Sequence, residues 1–277
     1  MKRVKKTVRS VFSHPGGIVS GVFIALLVIL ALTVDMVPGL NPHLLSDDAF
    51  APPSAQFLFG SDELGRSVAA NLAHGTRVSL TVGFFAAIMA TGLGILIGSA
   101  AGFYGGWIDV VVMRISEFFQ VIPSFILAAV IVAMTGTGLA QIIAVVGMLA
   151  WPQVARVMRG EVLRVKQLEF VDAVRCLGIS ERHVLFGEVI PNAVAPVVAV
   201  GTLIVGQAIL VEASLSFLGL SSAELVSWGR MLNSGQRFLF NAWWLSFFPG
   251  AAIFLTVLAF NLLGDALGAV LNPRNAR

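Results

Sequence analysis

An all-α membrane protein with six spanning helices is the fold class this sequence predicts, on three observations. Apolar residues make up 57% and charged residues 12% of the 277 positions, with mean hydropathy +0.89. A soluble domain carries about 25% charged residues. Several apolar runs are long enough for a bilayer core about 30 Å thick, which takes about 20 helical residues. Finally, the basic residues fall mostly on one set of the connections between those runs, as the positive-inside rule requires. The same rule accounts for the sequence pI of about 9.5 without a nucleic-acid partner. A single cysteine, Cys176, excludes a disulfide framework within the chain, and a packed or solvated thiol is its simplest reading.

Residues 1–16 read as a cytoplasmic tail carrying Lys2, Arg3, Lys5, Lys6 and Arg9, and residues 17–35 as the first span. This beginning resembles a signal peptide in outline. The apolar run 18–34 is longer than the usual core of about 7–15 residues, and no A-x-A site follows it, so it reads as a retained helix. Residues 36–77 form an extracytoplasmic segment, too short for a domain of its own. The remaining five spans lie within 78–273, at 78–102, 114–135, 138–157, 193–219 and 244–270, and residues 274–277 form a second cytoplasmic tail. The third span is the least clean, because Asp109, Arg114 and Glu117 crowd its start; its apolar core is 118–134. Pro123, Pro152, Pro196 and Pro249 fall in or beside spans, where neighbouring groups can satisfy the carbonyls they free. Gly83, Gly92, Gly94, Gly98 and Gly102 in the second span read as points of close helix approach. With the N-terminus inside, fourteen of the eighteen lysines and arginines face the cytoplasm, and only Arg66, Arg77, Arg230 and Arg237 face out.

Catalytic motifs are missing. There is no G-x-x-x-x-G-K-[ST] loop, no H-E-x-x-H, no C-x-x-C and no G-x-S-x-G. His14, His43, His74 and His183 are scattered, which argues against a metal site built by this chain. The pairs Asp47–Asp48 and Asp62–Glu63 read as loop charge or helix starts. The sequence describes a conduit with no cofactor of its own.

The most informative stretch is EFVDAVRCLGISERHVLFGEVIPNAVAPV, residues 169–197, inside a charged loop at about 158–192. Leu168, Val171, Val174 and Leu177 recur every third residue and predict a short helix with one apolar stripe. Glu169 and Asp172 suit the positive end of its dipole. Gly178 falls where a helix ends in a left-handed residue. Ser180 is placed to cap a second short helix over 181–187, which Pro191 closes. Charges at this density cost about 2.5–3.5 kcal/mol each at the bilayer centre, so the element sits outside it. On spacing alone, an ordinary solvated loop explains it equally well.

This segment resembles the E-A-A-x3-G-x9-I-x-L-P motif of permease subunits in binding-protein-dependent ABC importers. The matching positions are Asp172, Ala173, Val174, Gly178, Glu188, Ile190 and Pro191. Asp172 stands for the motif's Glu, Val174 for its second Ala, Glu188 for its Ile and Ile190 for its Leu. The strings FGSDELGR, GTRVSL, AGFYGGWID, EASLSFLGL, SWG, AWW, FPG and FLTVLAFNLLGD resemble the dipeptide, oligopeptide and nickel branch of that family, in particular its dipeptide-type C subunit. Ser67 departs from the Asp usual after FGxDxLGR, and LSSAELV at 220–226 lacks the usual prolines.

The resemblance implies a type I ABC importer permease fold in the bacterial inner membrane, with the loop as a cytoplasmic coupling helix. It also implies a second homologous permease beside this chain, two ABC ATPases that use ATP and Mg, and an extracytoplasmic substrate-binding protein. The cargo would be di- or oligopeptides, alternatively chelated nickel or an opine. The rival class, an ion-coupled secondary transporter or channel, would need intramembrane charge pairs, which are sparse here. The residues implied in ATPase coupling are Glu169, Asp172, Ala173, Gly178, Ser180, Glu181, Arg182, Val184 and Leu185. Within the spans, Glu212 is read first as a helix-pairing carboxylate and second as a path residue, with Gln207 as a further path candidate. Gln120, Gln141 and Asn261 read as helix-to-helix hydrogen-bonding groups.

Overall fold

A computed structural model describes residues 15–222 and 224–271. The expected tails lie outside the described residues, except Pro15 and Gly16. Among the described residues the regular structure is helical, apart from one isolated bridge between Ser61 and Ser67. Helix α1 runs Pro15–Thr33 and ends in a 3-10 turn, Val34–Met36; α2 runs Val68–Tyr104, α3 Gly106–Val121, α4 Ser124–Thr135 and α5 Leu139–Val165. Then come α6 (Glu169–Cys176), the single turn α7 (Glu181–His183), a π turn (Val184–Val189), α8 (Ile190–Phe217), α9 (Trp228–Gly235) and α10 (Trp244–Leu271). Five stretches among the described residues are long and apolar enough to cross a membrane, and a sixth is made by a bent pair, α3 and α4, if the two count as one span.

That pair corrects the third span. Helices α3 and α4 meet at 87°. Pro123 is the cause, since proline drives the residue before it out of helical geometry. Ile122 is extended, at φ −83° and ψ 128°, and α4 starts just after the proline.

Two other spans are longer than their apolar windows. Helix α2 starts at Val68, ten residues before the expected 78, because Ser67 Oγ accepts from the Ala70 N–H at 3.4 Å and caps it. Serine and aspartate cap equally well, so the departure at Ser67 leaves the local fold intact. The polar residues of the added turns tie down the end of α1. Arg77 bonds Asp35 at 2.8 Å and the Ala31 carbonyl at 2.9 Å, and His74 Nε2 meets the Leu40 carbonyl at 2.8 Å. Helix α5 runs on to Val165 despite Arg156, Arg159 and Arg164. Val154, Met158, Val162 and Val165 recur on its buried face, where they join Ile204 and Ile209 of α8.

The tightest crossing is between α2 and α5. Gly94, Gly98 and Gly102 repeat every four residues on α2, a spacing that lines one side of a helix. A Cβ on Gly98 would lie 2.8 Å from Ala155 Cα, and one on Gly102 would lie 2.8 Å from the Arg159 carbonyl. Gly92, off that side, has nothing within 4 Å.

At the end of the bundle away from α6, the recognisable strings are packing devices. In FGSDELGR, Asp62 Oδ1 accepts from the Leu64 and Arg66 N–H groups at 2.9 Å, while Arg66 Nε returns to Asp62 at 2.8 Å. In SWG, Ser227 caps α9 and Trp228 is fully buried with its indole N–H on the Leu72 carbonyl at 3.0 Å. Gly229 lets the turn approach Ala213, whose Cα would lie 2.6 Å from an added Cβ.

Candidate functional site: an exposed bend and a polar cavity

The charged loop is a bent protrusion clamped to the bundle. Gly178 takes φ +74°, a left-handed conformation that turns the chain after α6, and Ser180 sits at the N-cap of α7. Beyond α7 the expected break at Pro191 is absent. The helix continues through the π turn into α8, with the Ile190 N–H on the Leu185 carbonyl. Pro191 occupies the first turn of α8, and the wider turn before it relieves the carbonyl that its ring would otherwise strike. Asn192 Nδ2 then bonds the Glu188 carbonyl at 2.7 Å, in place of a backbone donor.

Lys166 and Arg175 tie the protrusion to α2, and an ion pair braces the helix from which it leaves. Lys166 Nζ donates to the Gly102 carbonyl at 2.7 Å, at the end of α2. A bidentate Arg159–Asp109 pair joins α5 to α3. Arg175 sits 5.7 Å over the Phe103 ring and pairs with Asp172 at 3.5 Å and Glu181 at 3.4 Å, bridging the bend. As exposed ion pairs the last two contribute about 0–1 kcal/mol each. Their effect is to fix an angle.

The predicted coupling residues divide into two groups. Glu169, Asp172, Ala173, Gly178, Ser180, Glu181 and Arg182 are exposed together on the protrusion. Val184 and Leu185 are a correction: both are buried, packed with Val171 and Val189 in the chain's own core, and present no surface to a partner. The predicted stripe splits likewise. Val171 is buried and Val174 partly so, while Leu168 and Leu177 face outward, Leu177 at 77% exposure. With Phe170, Ile179 and Phe186 they make an apolar surface among the charges. Sequence reasoning missed it because it placed Leu168, Val171, Val174 and Leu177 on one stripe and took Val184 and Leu185 as the outward apolar residues. Arg175 was missed as well, although a base four residues after the Val171 anchor and six before Glu181 is placed to span a glycine bend.

The two path candidates do not share a site. Glu212 is 1% exposed and buried between α2, α8 and α9. Its carboxyl accepts from Ser216 Oγ at 2.7 Å and Ser79 Oγ at 3.3 Å. This is the helix-pairing arrangement. Gln207 instead lines a cavity of about 840 Å³ between the α3–α4 break, α5 and α8, together with Gln120, Gln153 and Arg156. Gln120 and Gln207 were visible as polar residues in apolar spans. Only the 87° break puts them on one wall.

Among the described residues no group of three His, Cys, Asp or Glu could hold a metal ion. A multi-span helical protein with an exposed, clamped bend at one end and a polar cavity between broken and continuous helices has the layout of a membrane transport subunit. The comparisons agree. Residues 94–277 match the family described as binding-protein-dependent transport system inner membrane component, and the chain belongs to that family. It is 38% identical over 223 residues to the dipeptide transport system permease protein DppC of Alkalihalophilus pseudofirmus, covering 80% of this chain and 73% of that one. It is 36% identical over 261 residues to the glutathione transport system permease protein GsiD of Pectobacterium atrosepticum, covering 93% and 86%. It is 37% identical over 264 residues to DppC of Bacillus subtilis, covering 93% and 82%. The chain is thus a multi-pass inner-membrane component of an importer that works with a binding protein.

Proposed function

We propose that this chain is one of two homologous permease subunits of an ATP-driven importer of small peptides, with its α6–α7 end in the cytoplasm. The observation that carries the reading is the exposed bend at Gly178, which follows α5 in the chain and is fastened to α2 through Lys166 and Arg175, and whose parent helix α5 is paired to α3 through Arg159 and Asp109. A separate ATPase that grips Glu181, Arg182 and the apolar Leu177 and Ile179 can move the bend only by moving α2, α3 and α5 with it. ATP and Mg act on that partner. The cavity beside Gln207 is this chain's half of the path, and a second permease supplies the other half. Orientation follows from the basic residues, fourteen of eighteen falling on the α6–α7 side or in the tails. Peptide as cargo rests on the relatives named for dipeptide and glutathione transport.

The test is uptake into proteoliposomes holding this chain with its partner permease, ATPases and binding protein. Labelled dialanine should accumulate only when ATP and the binding protein are both present. Accumulation driven by an ion gradient without ATP would replace this reading with a secondary transporter.

A further inference from the structure

The cavity is unusual for what its walls carry and what they lack. Its volume of about 840 Å³ lies within the range of about 300–1,000 Å³ typical of small-molecule sites. Its lining includes the amides of Gln120, Gln153 and Gln207 and the guanidinium of Arg156, and no acidic side chain. Arg156 makes no ion pair or hydrogen bond with any described residue, and neither do the three amides. The other bases near it on α5 and α6 are engaged: Arg159 with Asp109, Arg164 with Glu161, Lys166 with Gly102, Arg175 with Asp172 and Glu181; Arg182, on the exposed bend, faces outward. Arg156 also stands nine residues before the end of α5 at Val165, about 14 Å along the helix at 1.5 Å per residue. It is therefore set back from the exposed bend, about one helical turn before Arg159 on the same helix. An ionisable group within a spanning helix normally faces a partner or a water-filled path.

We infer that Arg156 is a cargo-binding residue that takes the C-terminal carboxylate of a peptide crossing the cavity, with the glutamine amides bonding the peptide's backbone. The inference rests on the importer reading above and deepens it. A guanidinium presents a planar fork that matches a carboxylate in a bidentate pair. Amides supply both donors and acceptors, as a peptide bond does, and none of them selects a side chain. The broken pair adds to the same field. Helix α4 begins at Ser124, on the cavity wall, with no side-chain cap on its first N–H groups, so its positive end also faces the space. A cavity of this kind favours small anionic or zwitterionic cargo and disfavours cargo whose only charge is positive.

The experiment is uptake of labelled dialanine by the reconstituted complete importer, at concentrations spanning saturation of the binding protein. Arg156→Gln should lower the maximal rate at least tenfold while the half-saturating concentration, set by the binding protein, and the unstimulated ATP hydrolysis stay within twofold. Arg156→Cys in a Cys176→Ser background separates charge from folding, because its side chain is completed after assembly. A cationic aminoethyl methanethiosulfonate should restore most of the rate, and a neutral methyl methanethiosulfonate should not. Equal rates for Arg156→Gln and the parent chain overturn the inference, as do equal rates after the two reagents. Failure of Arg156→Gln to co-purify with the second permease, repaired by either reagent on the cysteine variant, also overturns it, since Arg156 would then be an interface residue. If the parent complex accumulates no dialanine, the cargo reading fails instead.

Discussion

Leucine in place of Gly98 is expected to prevent the bundle from forming. The α2–α5 crossing is built on backbone contact: an added Cβ at 98 meets Ala155 main-chain atoms, its Cα at 2.8 Å and its carbonyl carbon at 2.9 Å, and main chain cannot rotate away. Overpacking of a core usually costs about 1–3 kcal/mol, sometimes more. Here the whole helix pair must separate, and stability in total is only about 5–15 kcal/mol. The yield of monodisperse protein extracted in detergent should fall at least tenfold. Gly92→Leu is the matched control, since nothing lies within 4 Å of that position, and its yield and melting temperature should stay near those of the parent. Comparable losses in both variants would show that the seam was not the cause, since leucine is the better helix former at both positions.

Valine in place of Gly178 should leave the bundle intact and disconnect it from ATP hydrolysis. Gly178 is exposed and an added Cβ meets nothing within 4 Å, so the substitution creates no clash. Its φ of +74° is the obstacle. A left-handed conformation costs an L-residue about 1–2 kcal/mol, and a β-branched one is an outlier there. The bend must open, which draws Glu181 away from Arg175 and turns the apolar Leu177 and Ile179. Peptide uptake and the part of ATP hydrolysis that depends on loaded binding protein should both fall about tenfold or more. Gly178→Asn should keep most of both, because asparagine tolerates the left-handed region. Normal coupling in the valine variant would remove the rigid-lever account.

What the sequence made legible was whatever a single helix decides for itself. The apolar runs, the Gly178 bend and the close-approach glycines of α2 each depend on local composition or a few neighbouring residues, whereas Ser180 occupies the N-cap position without a side-chain capping bond. What it hid depends on two helices at once. The run 114–135 looks continuous to a hydropathy window, and only backbone geometry at Ile122 and Pro123 divides it. Arg156, Arg159 and Arg164 ended the apolar window at 157, although the buried face of α5 continues through Val162 and Val165. Pro191 has the signature of a stop, which the π turn before it absorbs. Val184 and Leu185 looked available because the loop was treated as standing free, whereas it lies back on α5. Glu212 and Gln207 were paired by their shared span. They lie five residues apart on α8, hence on different sides of a helix with 3.6 residues per turn.

The strings that carry the family resemblance turn out to be structural. FGSDELGR closes a turn, Ser227 and Trp228 lock α9 beneath α2, and Glu212 joins α8 to α2 through hydroxyls. The residues on which cargo depends in this account, Arg156 and Gln153, lie outside those strings. The family is therefore easier to read from the chain than its cargo.

The central claim is that the bend between α6 and α7 is the surface a nucleotide-hydrolysing partner grips from the cytoplasm. Its most direct measurement is site-directed cross-linking in the intact importer, with Arg182→Cys and Phe240→Cys each placed in a Cys176→Ser background. Arg182 is exposed on α7, and Phe240 is 100% exposed at the other end of the bundle. The account predicts that a short thiol-to-amine linker joins position 182 to the ATPase, and that a membrane-impermeant thiol reagent added outside cells reaches position 240 alone. Labelling of position 182 from outside, with no ATPase adduct formed, would contradict it.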